Sequence, residues 1–267
     1  MRASEAGGRT ALQRHLAAAV REAGALALKS FQAPVKSWLK HGHSPVSEVD
    51  IAVDVLLRAR LEAAGLGCGW LSEETEDDPA RLAANLVWIV DPIDGTRAFL
   101  AGLPDWSISI ALVEAGRPIL AAIYAPVTDE LFLASASGGA THNDRPIAAT
   151  AGDSLARARV AGPERRIARL AGLGITPTPK IHSLALRIAR VAQGRLDVAL
   201  AGPDGNDWDL AAADLLVHEA NGALTTVASE VLVYNRATPK HGPLIAAGRA
   251  RHHLLSELIR EGQIAFR

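Results

Sequence analysis

The sequence has 267 residues, of which 49% are hydrophobic, so it can build one large domain or two modest ones around a sizeable core. Its 28 basic and 29 acidic residues give a formal net charge of −1, which favours neither a nucleic-acid polymer nor an anionic membrane as partner. The expected partner is therefore a small molecule.

A single cysteine, Cys68, excludes an intrachain disulfide and a cysteine-rich zinc site. Residues 1–10 carry charges and glycines rather than the apolar stretch of a signal peptide. Charged residues or glycine interrupt each apolar run before it reaches the roughly 18 to 20 residues that span a bilayer. These features predict a cytoplasmic protein that does not insert into membranes.

The first 150 residues predict two helices followed by an antiparallel sheet. Apolar residues recur three or four apart from Leu12 to Leu26, which predicts a helix that ends near Pro34, and a second helix is expected over residues 50–64. Strands are expected at residues 86–90, 106–113, 119–124 and 130–135. The turn residues between these strands favour antiparallel pairing.

After about residue 150 the pattern changes to strands that alternate with helices, which predicts an α/β arrangement. Strands are expected at residues 159–161, near Lys180 and at 196–200, and helices from Pro163, at 183–193, at 209–220 and near 250–260. We therefore expect an α+β portion over residues 1–150, with most of the site residues, and a smaller α/β portion over residues 151–267.

Residues 91–96, which read Asp-Pro-Ile-Asp-Gly-Thr, directly follow the apolar run of residues 86–90. Pro92 restricts the backbone, and the two aspartates can converge on one side of a turn whose glycine and threonine amides can face an anion. Mg²⁺ prefers oxygen ligands and keeps several waters, so a few carboxylates suffice to bind it. Because aspartate also caps many turns, this segment alone favours a metal site and a structural turn equally.

Other acidic residues are further candidates for a metal site. Glu73 and Glu74 follow a short apolar segment, and Asp50 and Asp209 stand where helices are expected to begin. Each has a simpler interpretation, because a glutamate pair is usually a solvated loop and an aspartate at a helix start is usually a cap. The local sequence leaves both interpretations open.

Taken in chain order, these segments resemble the signatures of the inositol monophosphatase-like family. The resemblance rests on Asp50, on Leu-Ser-Glu-Glu at residues 71–74, on the turn at residues 91–96 and on Trp-Asp-Leu-Ala-Ala at residues 208–212, and it covers nearly the whole chain. It implies a layered αβαβα sandwich of the α/β class and commonly a homodimer. It also implies a metal-dependent phosphomonoesterase that acts on a small phosphorylated metabolite.

The resemblance implies a set of metal ligands. Glu73, Asp91 and the main-chain carbonyl of Ile93 would bind one Mg²⁺ ion, and Asp91, Asp94 and Asp209 would bind a second. A third, weaker ion is expected near Glu73. Li⁺ is expected to inhibit the enzyme by competing for one of these positions.

The resemblance also implies catalytic and substrate contacts. Glu73 and Thr96 would position or deprotonate the attacking water, with Asp50 holding the Thr96 hydroxyl. The amides of Gly95 and Thr96 would bind the phosphate, and Asp209 would also contact the substrate. No covalent phosphoenzyme is required.

The residues around these motifs favour one branch of the family. Ser72 before the glutamate pair, residues 97–100 after the metal turn, and residues 116–120 and 124–127 look more like the bacterial 3'(2'),5'-bisphosphate nucleotidases than the inositol enzymes. We therefore expect hydrolysis of adenosine 3',5'-bisphosphate to AMP and phosphate. The candidate cationic contacts for its second phosphate are Lys180, Arg187 and Lys240, each of which has solvation as its simpler interpretation.

Other activities stay open at this point. An acidic segment at residues 201–207, and Ile-His-Ser at residues 181–183 in place of a Gly-Ser turn, suit inositol 1-phosphate as the alternative substrate. Histidinol phosphate and fructose 1,6-bisphosphate are further alternatives. A metal-binding or phosphate-binding regulatory protein without turnover is the non-enzymatic alternative, but such a protein has no need for residues that activate water.

Overall fold

The structure, a computed structural model, describes residues 3–40 and 44–265. The helices are α1 (Ala3–Leu28), α2 (Glu48–Glu62), α3 (Thr96–Leu100), α4 (Glu164–Ile167), α5 (Leu184–Ala192), α6 (Asp207–Glu219) and α7 (Arg249–Arg260). The strands are β1 (Ser37–Leu39), β2 (Pro45–Ser47), β3 (Gly69–Ser72), β4 (Leu86–Asp94), β5 (Ser107–Glu114), β6 (Arg117–Ala125), β7 (Glu130–Ser135), β8 (Gly139–His142), β9 (Arg145–Pro146), β10 (Arg159–Ala161), β11 (Thr176–Pro177), β12 (Val198–Ala201), β13 (Gly205–Asn206), β14 (Gly222–Thr226), β15 (Lys240–His241) and β16 (Leu244–Gly248). Short 3₁₀ helices lie at Pro79–Ala83, Pro126–Thr128 and Ala168–Leu173.

A seven-stranded sheet in the order β3-β4-β5-β6-β7-β8-β9 carries most of the candidate site. Its first pair is parallel, which was not predicted, and the remaining pairs are antiparallel, as the turn residues between the strands favoured. Alternate residues of a strand point to opposite faces. Ile108, Ile110 and Leu112 therefore pack against α1 and α2, whereas Ala111 and Val113 join the core that contains α5 and α6. Because both faces are covered, β5 is buried almost throughout.

The second sheet is five-stranded, in the order β11-β10-β12-β16-β14. Ala199 and Ala246 face the core formed with α5 and α6, whereas Val198 and Ile245 pack with Leu255 of α7. The layers are thus helix, sheet, helix, sheet and helix, which confirms the expected αβαβα fold.

The division near residue 150 stays a prediction. The core between the two sheets includes residues from both sides of that position, among them Ile89 and Ala199. Within the described residues, no helix has both the length and the apolar composition needed to cross a membrane.

Some element boundaries differ from the sequence prediction. Helix α1 ends at Leu28 rather than near Pro34, because the chain continues in turns that include Gln32 at a φ of 62°. The strand expected near Lys180 lies instead at Thr176–Pro177. Proline at 177 and at 179 provides no backbone donor for a longer ladder, so Lys180 lies in the loop before α5.

Candidate active site

A bulge in β4 brings Asp91 and Asp94 to the same side of the sheet. Asp91 is opposite Ser109 and Asp94 is opposite Ser107, so three steps along β4 match two steps along β5. Residues three apart in a regular strand point to opposite faces, and the extra residue of a bulge corrects this difference. The bulge also accommodates Pro92, which has no amide hydrogen for the ladder. The strand therefore continues to Asp94 rather than ending at Val90.

Gly95 allows the chain to turn from β4 into α3. Its φ of 96° lies in the left-handed region, which favours glycine. A Cβ atom at this position would lie 3.2 Å from the amide nitrogen of Ser183 and 3.4 Å from the carbonyl oxygen of Asp105. The turn is therefore packed closely against the loop that precedes α5.

Asp209 reaches the same place from the first turn of α6. Its Oδ2 accepts the Asn206 amide at 2.7 Å, which fixes the side chain against the helix start. Asp91, Asp94 and Asp209 each offer a carboxylate oxygen, and these three oxygens lie within 4.8 Å of one another. Burial, followed by the charge of the neighbouring carboxylates, raises the pKa of Asp91 and Asp209 well above the usual value.

The donor set of this cluster fits a divalent metal ion. Asp91 Oδ1 accepts the Ile93 amide at 3.1 Å, whereas Asp91 Oδ2 is buried and has no hydrogen-bond partner among the described residues. Clustered buried carboxylates without a compensating cation are costly, and all three offer the oxygen ligands that hard cations prefer. The cluster is therefore a candidate metal centre.

Glu73 and Glu74 lie beside this centre, where β3 ends. The Glu73 amide donates to the Val90 carbonyl at 3.2 Å, which continues the pairing of β3 with β4. Burial raises the pKa of Glu73 and raises that of Glu74 to about 7. Lys40 Nζ lies 3.0 Å from the Glu73 carbonyl oxygen and 2.6 Å from Glu74 Oε1. Lys40 was not predicted as a site residue, because no motif or periodic pattern surrounds it in the sequence.

Asp50 holds the Thr96 hydroxyl, as the resemblance implied. Thr96 Oγ1 lies 3.0 Å from Asp50 Oδ1 and 3.1 Å from the Ile93 carbonyl oxygen. Asp50 Oδ2 accepts the hydroxyl and the amide of Ser47, at 2.5 and 2.9 Å, in a capping box at the start of α2. Asp50 is thus both a helix-capping residue and a contact of Thr96.

Asp94 is fixed by the beginning of α5. Its Oδ2 accepts the Ser183 hydroxyl at 2.5 Å and the Ala185 amide at 2.6 Å, and its Oδ1 accepts the Leu184 amide at 3.2 Å. Ser183 is also the N-cap of α5. A serine before an apolar helical pattern could have been identified as a cap, but nothing local in the sequence indicates the contact with Asp94.

These residues surround a cleft of about 320 Å³. Its lining comprises Ser44, Pro45, Glu73, Asp91, Asp94, Gly95, Thr96, Arg97, Lys180, His182 and Asp209. The cleft therefore collects the predicted residues Glu73, Asp91, Asp94, Thr96 and Asp209 together with Gly95 and Lys180. His182 was noted in the sequence only as part of an altered loop, and the structure places it in the cleft.

The other two cationic candidates do not line this cleft, although Arg187 lines a second cavity that also contains Lys180. Arg187 directs its guanidinium to the main-chain carbonyls of Ile181 and Leu200, at 2.7 and 3.1 Å. Lys240 lies on β15, which pairs with β13, and it does not line the cleft. Of the three cationic candidates, Lys180 is the one that lines the cleft.

A carboxylate centre beside a glycine turn can hold metal ions next to a phosphate, which is the arrangement of a metal-dependent phosphatase. The model of the inositol monophosphatase family matches residues 9–263. The chain belongs to this family, and it is accordingly a phosphomonoesterase.

Individual relatives differ in their substrates. The chain is 35% identical over 188 residues to the inositol-1-monophosphatase of Rhizobium meliloti, a match that covers 66% of this chain and 70% of that protein. It is 27% identical over 225 residues to the 3'(2'),5'-bisphosphate nucleotidase CysQ of Haemophilus influenzae, covering 77% of this chain and 81% of the relative. The crystal structure of the extragenic suppressor protein suhB from Bartonella henselae superimposes with a TM-score of 0.83 and 27% identity, covering 94% of this chain and 99% of that one.

Proposed function

We propose that the protein is a Mg²⁺-dependent phosphomonoesterase that prefers a 3'(2'),5'-bisphosphorylated nucleoside and converts adenosine 3',5'-bisphosphate to AMP and phosphate. The observation that carries the substrate choice is the position of Lys180. This residue lines the metal cleft and also lines a second cavity of about 920 Å³ next to it. A substrate that extends beyond the cleft on this side would meet Lys180 first.

The second cavity, called the apolar groove below, suits the nucleoside part of such a substrate. Its apolar lining comprises Pro163, Ile167, Ala168, Ala171, Ile175 and Pro177, and the charged residues Glu164, Arg165, Lys180 and Arg187 also line it. Apolar side chains around a few polar groups are the usual lining of pockets for small organic ligands. Within the described residues, the Lys180 side chain makes no hydrogen bond or ion pair, so its ammonium group is free to bind the second phosphate.

The carboxylate centre would hold the metal ions. By the family resemblance, Glu73, Asp91 and the Ile93 carbonyl would bind one Mg²⁺ and Asp91, Asp94 and Asp209 another, with a third, weaker ion near Glu73 and inhibition by Li⁺. When bound, such ions offset the charge of phosphate oxygens and lower the pKa of water. The buried Asp91 Oδ2, which has no partner among the described residues, is available as a ligand atom.

The residues of the chain would orient the reactants. The Asp50 carboxylate accepts the Thr96 hydroxyl hydrogen, which leaves a lone pair of Thr96 Oγ1 to accept a hydrogen bond from the attacking water. Glu73, whose pKa is raised by burial, would accept a proton from that water. The amides of Gly95 and Thr96 stand at the start of α3, where they would bind the phosphate.

Inositol 1-phosphate is the second candidate substrate. The Rhizobium relative, which is 35% identical, is an inositol-1-monophosphatase. A cyclic polyol phosphate is small enough to react in the cleft without entering the apolar groove. The two candidates therefore differ in whether the groove contributes to binding.

The test is kcat/KM on adenosine 3',5'-bisphosphate and on inositol 1-phosphate, with Mg²⁺ and with EDTA. We expect a preference for the nucleotide and no turnover in EDTA. Ile175→Glu, which places a carboxylate in the groove, should lower kcat/KM for the nucleotide about tenfold or more and leave inositol 1-phosphate unchanged. Val55→Glu is the matched control, because Val55 is 64% exposed on α2.

A preference for inositol 1-phosphate, or equal effects of Ile175→Glu on both substrates, would overturn the substrate proposal. The metal assignment would stand in either case if EDTA abolishes turnover. A homodimer and a cytoplasmic location remain predictions from the resemblance and the sequence, and light scattering of the purified protein tests the first of them.

A further inference from the structure

His182 is held in the cleft by Asp105. Its ring nitrogen Nδ1 lies 2.7 Å from Asp105 Oδ2, and its amide donates to the same oxygen at 2.6 Å. The Ser183 amide donates to the Asp105 carbonyl at 3.1 Å. Asp105 therefore fixes both the backbone and the imidazole of this loop, opposite Gly95. Neither residue belongs to the carboxylate centre.

This contact determines which nitrogen of the ring is left to accept a hydrogen bond. An ionised carboxylate only accepts hydrogen bonds, so Nδ1 must carry the hydrogen, and the opposite nitrogen, Nε2, has a free lone pair in the neutral ring. No residue in the described part of the chain pairs with Nε2. The carboxylates of Glu73, Asp91, Asp94 and Asp209 line the same cleft and are assigned to metal ions, and the cations Lys180 and Arg97 only donate. The Nε2 lone pair of His182 thus offers the cleft an acceptor that carries no negative charge.

A hydroxyl group is the substrate feature that such an acceptor recognises. Gly95 and Thr96, the proposed phosphate contacts, line the same cleft as His182, and this cleft has a volume of only about 320 Å³. Because the cleft is small, a substrate group that reaches His182 Nε2 must lie close to the phosphate ester. In adenosine 3',5'-bisphosphate the 2'-hydroxyl has this position, and in inositol 1-phosphate a ring hydroxyl does. A simple alkyl phosphate offers nothing for His182 to bind.

We propose that His182 is a specificity residue that accepts a hydrogen bond from a hydroxyl next to the scissile phosphate, so that the site selects phosphate monoesters of vicinal diols. Asp105 is the positioning residue that fixes the ring tautomer. The inference rests on the proposed phosphatase site, but it holds for either candidate substrate. It assigns a substrate-side role to the loop at residues 181–183.

The test compares substrate pairs that differ by this one hydroxyl. One pair is adenosine 3'-phosphate and 2'-deoxyadenosine 3'-phosphate, and the other is 2-hydroxycyclohexyl phosphate and cyclohexyl phosphate. For the wild-type enzyme with Mg²⁺ we expect a hydroxyl preference in kcat/KM of roughly 3- to 10-fold or more, the range of one net hydrogen bond.

His182→Phe keeps a ring without an acceptor. It should reduce that preference to near one by lowering kcat/KM for the hydroxylated substrates only. His182→Gln, whose amide oxygen accepts, should retain part of it.

Asp105→Asn and Asp105→Ala together separate tautomer control from a merely structural role. Because Asp105 Oδ2 accepts both the His182 amide and Nδ1–H, the amide oxygen of Asn should take that position and leave Nε2 as the acceptor. We therefore expect Asp105→Asn to keep most of the hydroxyl preference, whereas Asp105→Ala, which removes the acceptor for Nδ1–H, should lose it while turnover of the deoxy and cyclohexyl substrates persists. A structural defect would instead lower both members of a pair equally.

Several results would overturn the inference: a wild-type preference near one, an unchanged preference in His182→Phe, or equal losses within each substrate pair in Asp105→Ala. If His182→Phe fails to fold, His182→Gln and the wild-type ratio still decide. Absence of turnover on every substrate would contradict the proposed function rather than this inference. Turnover of the cyclohexyl pair alone would contradict only the nucleotide proposal.

Discussion

Ser183 donates its hydroxyl hydrogen to Oδ2 of Asp94 over 2.5 Å, although 89 residues separate them in the chain. The same hydroxyl oxygen accepts the Leu186 amide at 2.9 Å as the N-cap of α5. One side chain thus couples the start of a helix in the second half of the sequence to a carboxylate of the candidate metal centre. The position of Asp94 therefore depends on how α5 packs between the two sheets.

Ser183→Ala should affect both stability and metal binding. Loss of an N-cap costs about 1 kcal/mol, and loss of a hydrogen bond to a metal ligand typically costs roughly 10- to 100-fold in metal affinity or activity. We expect a lower melting temperature and a higher Mg²⁺ concentration for half-maximal activity. Ser256→Ala is the matched control, because the Ser256 hydroxyl is buried without a partner among the described residues. Equal Mg²⁺ dependence in wild type and Ser183→Ala would contradict the prediction.

The difference between local motifs and long-range contacts explains which residues of the site could be predicted from the sequence. Asp91, Asp94 and Asp209 were found because each lies in a local motif at the end of an apolar strand or the start of a helix. The pattern at residues 106–113 likewise predicted the strand β5, both faces of which are buried in the structure. Local patterns of this type are set by the periodicity of strands and helices, so they can be read without tertiary structure.

The remainder of the site depends on contacts between distant segments. Lys40 contacts Glu74, and Asp105 contacts His182 from the loop before β5. No periodic signal encodes such pairs, because each side chain also has an ordinary role in its own segment. Lys180 was found as a candidate, but its expected strand was wrong because the prolines beside it end the ladder.

Asp94→Asn tests the metal centre directly. The change removes one charge and almost no volume, so the fold should persist while kcat with saturating Mg²⁺ falls by at least roughly 100-fold. Both carboxylate oxygens of Asp94 accept hydrogen bonds from the start of α5, so the amide group of Asn loses at least one of them. We therefore expect a lower melting temperature in EDTA, with a single cooperative unfolding transition that shows that the fold persists.

The control for this variant is Asp153→Asn, an exposed aspartate in the loop before β10. It should keep wild-type activity. Near-normal turnover in Asp94→Asn would contradict the metal assignment.

Asp197 should make stability depend on pH at the acid end of the range. Burial raises its pKa, but hydrogen bonds from the Arg159 side chain and amide and from Thr150 outweigh this effect and lower the pKa to about 2. A lowered pKa means that the folded state favours the ionised form, so the stabilisation is present above the unfolded value near 4 and is lost as pH falls towards 2. We expect Asp197→Asn to melt below wild type at pH 6 and to approach it near pH 2.

Melting temperatures from pH 2 to pH 7 check this expectation. Asp153→Asn, at an exposed position, is the control and should follow the wild-type curve. A constant difference between Asp197→Asn and wild type across the range would show that the contribution of Asp197 does not depend on its charge.

Gly95→Ala should damage the site through the backbone. At a φ of 96° a side chain is strained, and the added Cβ would lie 3.2 Å from the Ser183 amide nitrogen, so the β4 turn and the loop before α5 must separate. Backbone strain of this kind costs on the order of 1 to 3 kcal/mol, and the separation also displaces Asp94 and His182. We expect a lower melting temperature together with a loss of kcat/KM that added Mg²⁺ does not restore.

Gly202→Ala is the matched control, since Gly202 has a negative-φ backbone compatible with alanine and nothing within 4 Å of the added Cβ. Wild-type kcat/KM in Gly95→Ala would show that this turn does not set the geometry of the cleft.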